Sequence, residues 1–265
     1  MNGHDPEPGR DVSLYVGVTL RETEEGRVEG RAPAVGHLRG AHGGVQTGAL
    51  LTMLDFVGGL CGGLAALPEG WVVSTNLSAR LLTVDHVGPL RIDAEVLRRG
   101  RNNVVTGVQL HDEGAPDALI VDGILTSAIL VPENGPPPWQ RPLVLTPGNP
   151  WTEPEPALAE WIGARAVNET TMEVPLSDEL RNPWGILHGG VVATLVDLTA
   201  EHATRGGRTT DVVLHYLAPN RVGPVRAAAR VLGHRSDGDV VRVEVRDEGA
   251  ARTTAIAIAT CATRD

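Results

Sequence analysis

Aromatic side chains are scarce here: one Phe, two Tyr and five Trp in 265 residues. A core cannot rest on rings, so Val, Leu, Ile and Ala must fill it. Cysteine is almost missing as well. Two residues, Cys61 and Cys261, make no disulfide framework and read as small buried apolar side chains. Basic residues are outnumbered 23 to 33 by acidic ones, for a formal net charge of −10. That balance excludes the basic stripe of a nucleic-acid binder, while leaving room for a local basic pocket.

Long hydrophobic runs are absent with one exception. Gly48 to Leu67 approaches membrane-spanning length, but it carries Asp55 and five glycines and lacks basic flanks. No membrane partner is expected. Met1 to Asp11 has neither a basic n-region nor an apolar h-region, so no signal peptide is read and a cytoplasmic location is expected. There is no Gly-x-Ser-x-Gly elbow, no P-loop and no Cys/His spacing suited to zinc. A serine hydrolase is disfavoured, and no metal or separate cofactor is expected.

Residues 14–20 and 27–31 read as a short hairpin, followed by a Gly-rich turn at 40–44. Apolar residues at Val45, Ala49, Leu50, Met53, Leu54, Val57 and Leu60 have a helical period, predicting a helix over 45–60. Strand-like runs follow at 72–83, 90–99, 104–111 and 119–131, separated by Gly, Pro and Asp turn signals. Residues 132–156 hold nine prolines and read as an extended linker.

The pattern then begins again. Residues 74–115 align with 209–250 at a constant offset of 135, with 15 of 42 positions identical. Val87-Gly88-Pro89 matches Val222-Gly223-Pro224, and Asp112-Glu113-Gly114-Ala115 matches Asp247-Glu248-Gly249-Ala250. Upstream, 38–55 align with 180–197 at offset 142, pairing Gly48 with Gly190, Thr52 with Thr194 and Asp55 with Asp197. Each copy is a hairpin, a Gly-rich turn, one long helix and four strands, an α+β layer. The expected division is a first repeat over 1–133, a Pro-rich linker over 134–155 and a second repeat over 156–265. Pairing the copies edge to edge would extend one continuous sheet.

The second copy carries Asn182-Pro-Trp-Gly-Ile-Leu-His188-Gly189-Gly190 and then Asp197. On one helix His188 and Asp197 lie on opposite faces, ~13 Å apart along the axis. They cannot serve one small site together, so each must meet groups from the other copy.

This stretch resembles the signature of hotdog-fold thioesterases of the phenylacetate-pathway (PaaI-like) type, and Tyr216-Leu217-Ala218-Pro219 resembles the strand that follows it there. The resemblance spans both repeats and implies a double hotdog that hydrolyses acyl thioesters, usually acyl-CoA, between two units. In the first repeat the motif is degraded: Gly40, Gln46 and Thr47 stand at the positions of Asn182, His188 and Gly189. His42-Gly43-Gly44 mimics the motif, thirteen residues before Asp55 rather than nine.

Two composite sites are therefore expected. The first joins Asn182, His188 and Gly189 to Asp55 and Ser74. The second, weaker one joins Gln46 and Thr47 to Asp197 and Thr209. The Gly189 N–H, at a helix N-terminus, suits a developing oxyanion. Asp55, on an otherwise apolar helix, suits a base or a nucleophile. The resemblance implies that a hydroxyl at Ser74 helps to hold water. Arg98, Arg99 and Arg101 at a hairpin are candidates for CoA phosphates. Structural roles stand beside each of these: hydrogen-bonded carboxylates for Asp55 and Asp197, a turn-stabilising His188, a solvated basic hairpin. CoA would enter as part of the substrate, and a homodimer of double hotdogs is a possible assembly. A non-catalytic acyl-CoA-binding protein, or a thioesterase acting on carrier-protein esters, are the alternatives.

Overall fold

The computed structural model describes residues 12–40, 43–83, 85–115, 118–131, 133, 135–136, 141–146 and 156–262. His42, and with it the mimic of the motif, lies outside them. In chain order the elements are α1 (Val12–Tyr15), β1 (Thr19–Glu24), β2 (Arg27–Ala32), α2 (Thr47–Ala66), β3 (Trp71–Leu81), β4 (Leu90–Arg99), β5 (Asn103–Asp112) and β6 (Ala118–Leu130). Then come β7 (Val144–Leu145), α3 (Leu158–Trp161), β8 (Arg165–Asn168), β9 (Thr171–Val174), α4 (Gly189–Ala203), β10 (Arg208–Tyr216), β11 (Val225–Arg235), β12 (Gly238–Asp247) and β13 (Arg252–Ala262).

The described strands form one antiparallel sheet in the order β7-β1-β2-β4-β5-β6-β3-β10-β13-β12-β11-β9-β8. Apart from β7 the order is the same arrangement read from either end, and its centre is the β3–β10 seam. There Leu77 faces Leu214 and Ala79 faces Val212. All four side chains are buried.

Matching local geometry underlies the repeat. Arg39 and Arg181 each reach back to a turn carbonyl, that of Gly43 or Gly185, and both glycines have positive φ. Asp112 accepts the N–H groups of Val87, Gly88 and Gly114, while Asp247 accepts those of Arg221, Val222, Gly223 and Ala250. Burial alone would raise both carboxyl pKa values, but the converging N–H donors outweigh it and leave both lowered.

Helices α2 and α4 pack on the same face of the sheet and run antiparallel against each other. Gly48 and Gly190 make the crossing close. A Cβ at Gly48 would lie 2.7 Å from Thr194 Cγ2, and one at Gly190 would lie 2.8 Å from Thr52 Cα. Thr194 Oγ1 donates to Gly48 O (2.9 Å) and Thr52 Oγ1 to Gly190 O (3.1 Å). This crossing lays the N-terminus of α4 beside Asp55 and the N-terminus of α2 beside Asp197. Helix α2 has the length and apolarity of a membrane span, but most of it is buried inside the fold.

Two expectations need correction. The predicted strand over 14–20 is mostly not a strand: Val12–Tyr15 is a helical turn, and the chain breaks at Gly17 (φ 65°) before β1 begins. The helix predicted over 45–60 runs on to Ala66, because Gly58 and Gly63 are packing positions rather than an end to it; a Cβ at Gly58 would meet Val108 at 2.8 Å and one at Gly63 the Trp71 ring at 2.7 Å. The Pro-rich stretch adds a short strand to the sheet. Val144–Leu145 pairs with the edge strand β1, Leu143 is buried, and Arg141 is paired with Glu22.

Candidate functional site

Asp55 lies in the middle of α2 with a relative exposure of 5 %. Its Oδ1 accepts a 2.7 Å hydrogen bond from Ser74 Oγ on β3. Its Oδ2 is 3.4 Å from His188 Nδ1, in the other half of the chain. His188 is the N-cap of α4, and Nδ1 also accepts the Gly190 N–H at 3.0 Å. With Nδ1 accepting that bond, Nε2 is the ring nitrogen left to donate.

Gly189 is the first residue of α4, so the helix itself has no carbonyl for its N–H. A Cβ there would lie 2.8 Å from both Asp55 carboxylate oxygens. Glycine therefore lets the carboxylate approach the helix end. The Gly189 carbonyl accepts a 3.0 Å hydrogen bond from Tyr216 Oη at the end of β10. Burial, and secondarily the Asp55 charge, hold the Tyr216 pKa well above its usual value, so it stays a donor.

Asn182 shapes the turn before α4. Its Oδ1 accepts the N–H groups of Trp184 (3.0 Å) and Ile186 (3.4 Å). Trp184 Nε1 in turn donates to Val72 O on β3 (3.1 Å), tying the turn of the second half to the sheet of the first.

These groups border a cavity of about 580 Å³. Asp55, Ser74, Asn182, His188 and Gly189 all line it. So do Phe56, Trp71, Trp184 and Tyr216, which are four of the chain's eight aromatic residues. Asn220 and Arg221 also line it; Asn220 O accepts the Leu187 N–H, the Arg221 N–H donates to Asp247, and the Arg221 side chain is exposed. Sequence reading missed these aromatic walls. Their signal was rarity: in a chain this poor in rings, a cluster from both halves marks a lined space.

The second set of residues is brought together in a different state. Thr47, Asp197 and Thr209 are at most 3 % exposed, and none of them lines the cavity. Gln46 Nε2 donates to Arg39 O and does not cap its helix. The Thr209 hydroxyl and the Gly48 N–H lie beside Asp197 and act to lower its pKa. Asp197 Oδ1 and Thr47 Oγ1 are buried without a hydrogen-bond partner. Burial first, and the nearby Glu201 charge second, raise the Asp197 pKa well above its usual value.

Arg98, Arg99 and Arg101 do not line the cavity. Arg98 bonds Asn103, and Arg99 bonds Ala65 O and pairs with Glu69 beyond the C-terminal end of α2. Arg221 is the arginine at the cavity. It was hidden because the matching position in the first half is His86.

No family model and no curated protein matches this sequence. Solved structures do. An assigned oleoyl thioesterase from Lactobacillus plantarum superposes with a TM-score of 0.66 at 10% identity, covering 92% of this chain and 98% of its own. The tesB protein of Mycobacterium avium subspecies paratuberculosis gives 0.62 at 13%, over 93% and 96%. The 12:0-ACP thioesterase of Umbellularia californica gives 0.62 at 11%, over 88% and 93%. At these identities the likeness is one of fold, and it extends over nearly the whole chain: this protein has the hotdog-like fold of those thioesterases.

Proposed function

We propose that this chain hydrolyses acyl thioesters, acyl-CoA esters in particular, at one composite site between its two halves. We read it as a tandem hotdog protein of the PaaI-like type, acting in the cytoplasm. The observation that carries this reading is the Asp55 carboxylate set against Gly189, at the helix end, inside an apolar cavity of about 580 Å³.

The chemistry follows from the groups present. A thioester carbonyl oxygen would take the Gly189 N–H, where the α4 dipole favours developing negative charge. Tyr216 fixes that peptide from its carbonyl side. Asp55 then acts in one of two ways. As a base it takes a proton from water held beside Ser74, and the water oxygen adds to the carbonyl carbon. As a nucleophile it adds itself, and water cleaves the resulting anhydride. In either case the C–S bond breaks, the thiol leaves with a proton, and the acyl group leaves as a carboxylic acid. Arg221, exposed at the cavity, is suited to the anionic part of CoA. Asn182 acts through the turn that it holds. The buried second set around Asp197 is non-catalytic in this reading.

The experiment is a free-thiol release assay over a panel of acyl-CoA esters and one acyl-carrier-protein ester. Turnover of CoA esters that is lost in Asp55→Asn is expected. Tight CoA-ester binding with no turnover of any ester would refute it and favour a binding protein.

A further inference from the structure

Four glycines follow Asp55 on α2, and the structure separates them. A Cβ at Gly58 would meet Val108 at 2.8 Å, and one at Gly63 would meet the Trp71 ring at 2.7 Å. Gly62 faces Val104 and Thr106 at ordinary contact distance. Gly59 differs from these three. Nothing lies within 4 Å of where its Cβ would be, and it lines the cavity. It follows Asp55 by four residues, which places it one turn, ~6 Å, further along the same face.

The other half of the molecule displays what a side chain does at this position. Offset 142 matches Gly59 with Glu201. Glu201 Oε1 accepts the N–H of Thr209, the residue that matches Ser74. A long side chain here thus crosses from helix to strand over the space beside the aspartate. At the first site that space stays open.

The cavity is lined from separate parts of the fold. Asn220 and Arg221 come from the loop after β10, whereas Gly59 and Leu60 of α2 and the paired Trp71 and Leu130 of β3 and β6 supply apolar wall. We infer that Gly59 sets the reach of the acyl group. The carbonyl sits between Gly189 and Asp55, the acyl chain runs over Gly59 toward Trp71, and the thiol-bearing part leaves past Arg221. The substrate class is then an acyl group long enough to pass residue 59, rather than acetyl. This inference rests on the thioester reading of the same site.

The test is Gly59→Leu in the full chain, assayed on a ladder of CoA esters from acetyl to dodecanoyl. Leucine has the higher helix propensity, so a retained or raised Tm is the folding control. The expected result is a fall of about tenfold or more in kcat/KM for the longest esters and a change within about threefold for acetyl-CoA. A uniform change along the ladder, or none, overturns the inference. A second measurement needs no turnover: tryptophan fluorescence during titration with the free carboxylic acids of the same ladder. Wild-type affinity should climb with chain length, and that of the variant should level off early. Graded binding in a protein that hydrolyses nothing would sink the thioester reading and leave this one standing. Hydrolysis with unaltered chain preference and unaltered acid binding would do the reverse.

Discussion

Ser74 Oγ donates a 2.7 Å hydrogen bond to Asp55 Oδ1, joining β3 to α2 within the first half of the chain. The opposite oxygen of the same carboxylate faces His188 of the second half. The carboxylate is thus held by one half and presented to the other.

Asp55→Asn keeps the shape and removes the charge. Thiol release should fall by about 10²–10⁴-fold, the range of a lost acid–base group. Asp197→Asn, at the matching position, should leave kcat within about threefold, because its site is closed. Equal losses in both variants would show that two sites work.

Removing the Ser74 hydroxyl tests the other end of that bond. Ser74→Ala should lower kcat about tenfold with little change in KM, since the group acts on carboxylate and water rather than on ground-state binding. Steady-state kinetics on the best ester of the panel would decide it, and a rise in KM alone would contradict the role.

Gly189→Ala places a methyl 2.8 Å from both Asp55 oxygens. The carboxylate must move, so we expect a loss in kcat of about 10²-fold with little loss of stability, because alanine is the better helix former. Activity together with thermal melting separates this from misfolding.

The helix crossing makes a different prediction. Gly190→Ala drives a methyl to 2.8 Å from the Thr52 Cα, which cannot swing away as a side-chain tip can. Overpacking of this kind costs about 1–3 kcal/mol. Tm should drop by a few degrees, at ~2–4 °C per kcal/mol for a chain of this size.

Asp197 governs a pH dependence. Its folded pKa is raised above the ordinary value of 3.8 by burial and by Glu201. Below 3.8 it is protonated in both the folded and the unfolded chain and contributes nothing. As pH rises above 3.8 the unfolded chain loses the proton more readily, so stability falls toward neutral pH. Asp197→Asn removes that slope. The variant should match the wild type near pH 3.8 and melt a few degrees higher at pH 7; denaturation at several pH values would show it, and parallel curves would refute it.

The helices, the long strands and their order in the chain were legible because identities between the halves fall on turns that need particular residues. Gly88 and Gly223 both have positive φ, and Asp112 and Asp247 both gather backbone N–H groups. The separation of His188 from Asp197 on one helix already required partners from elsewhere, and the geometry supplies Asp55 for the first. Other features left no local trace. Val144–Leu145 pairs with β1 only because that strand is an edge with open hydrogen-bonding groups. Trp184 is far in sequence from Phe56 and Trp71, and lines one cavity with them only because the two halves pack together. Arg221 could not be told from the arginines at 98–101, because charge alone does not say which loop faces a cavity.

The β3–β10 seam has a further consequence. Two identical chains meeting there would carry every substitution twice, once at each of two equivalent sites. Here the partners are joined covalently, so a change can enter one side only. The chain can keep glycine at 59 while holding glutamate at 201, and can bury Asp197 while Asp55 borders the cavity. A single covalent chain thereby removes symmetry as a constraint on the residues around the carboxylate.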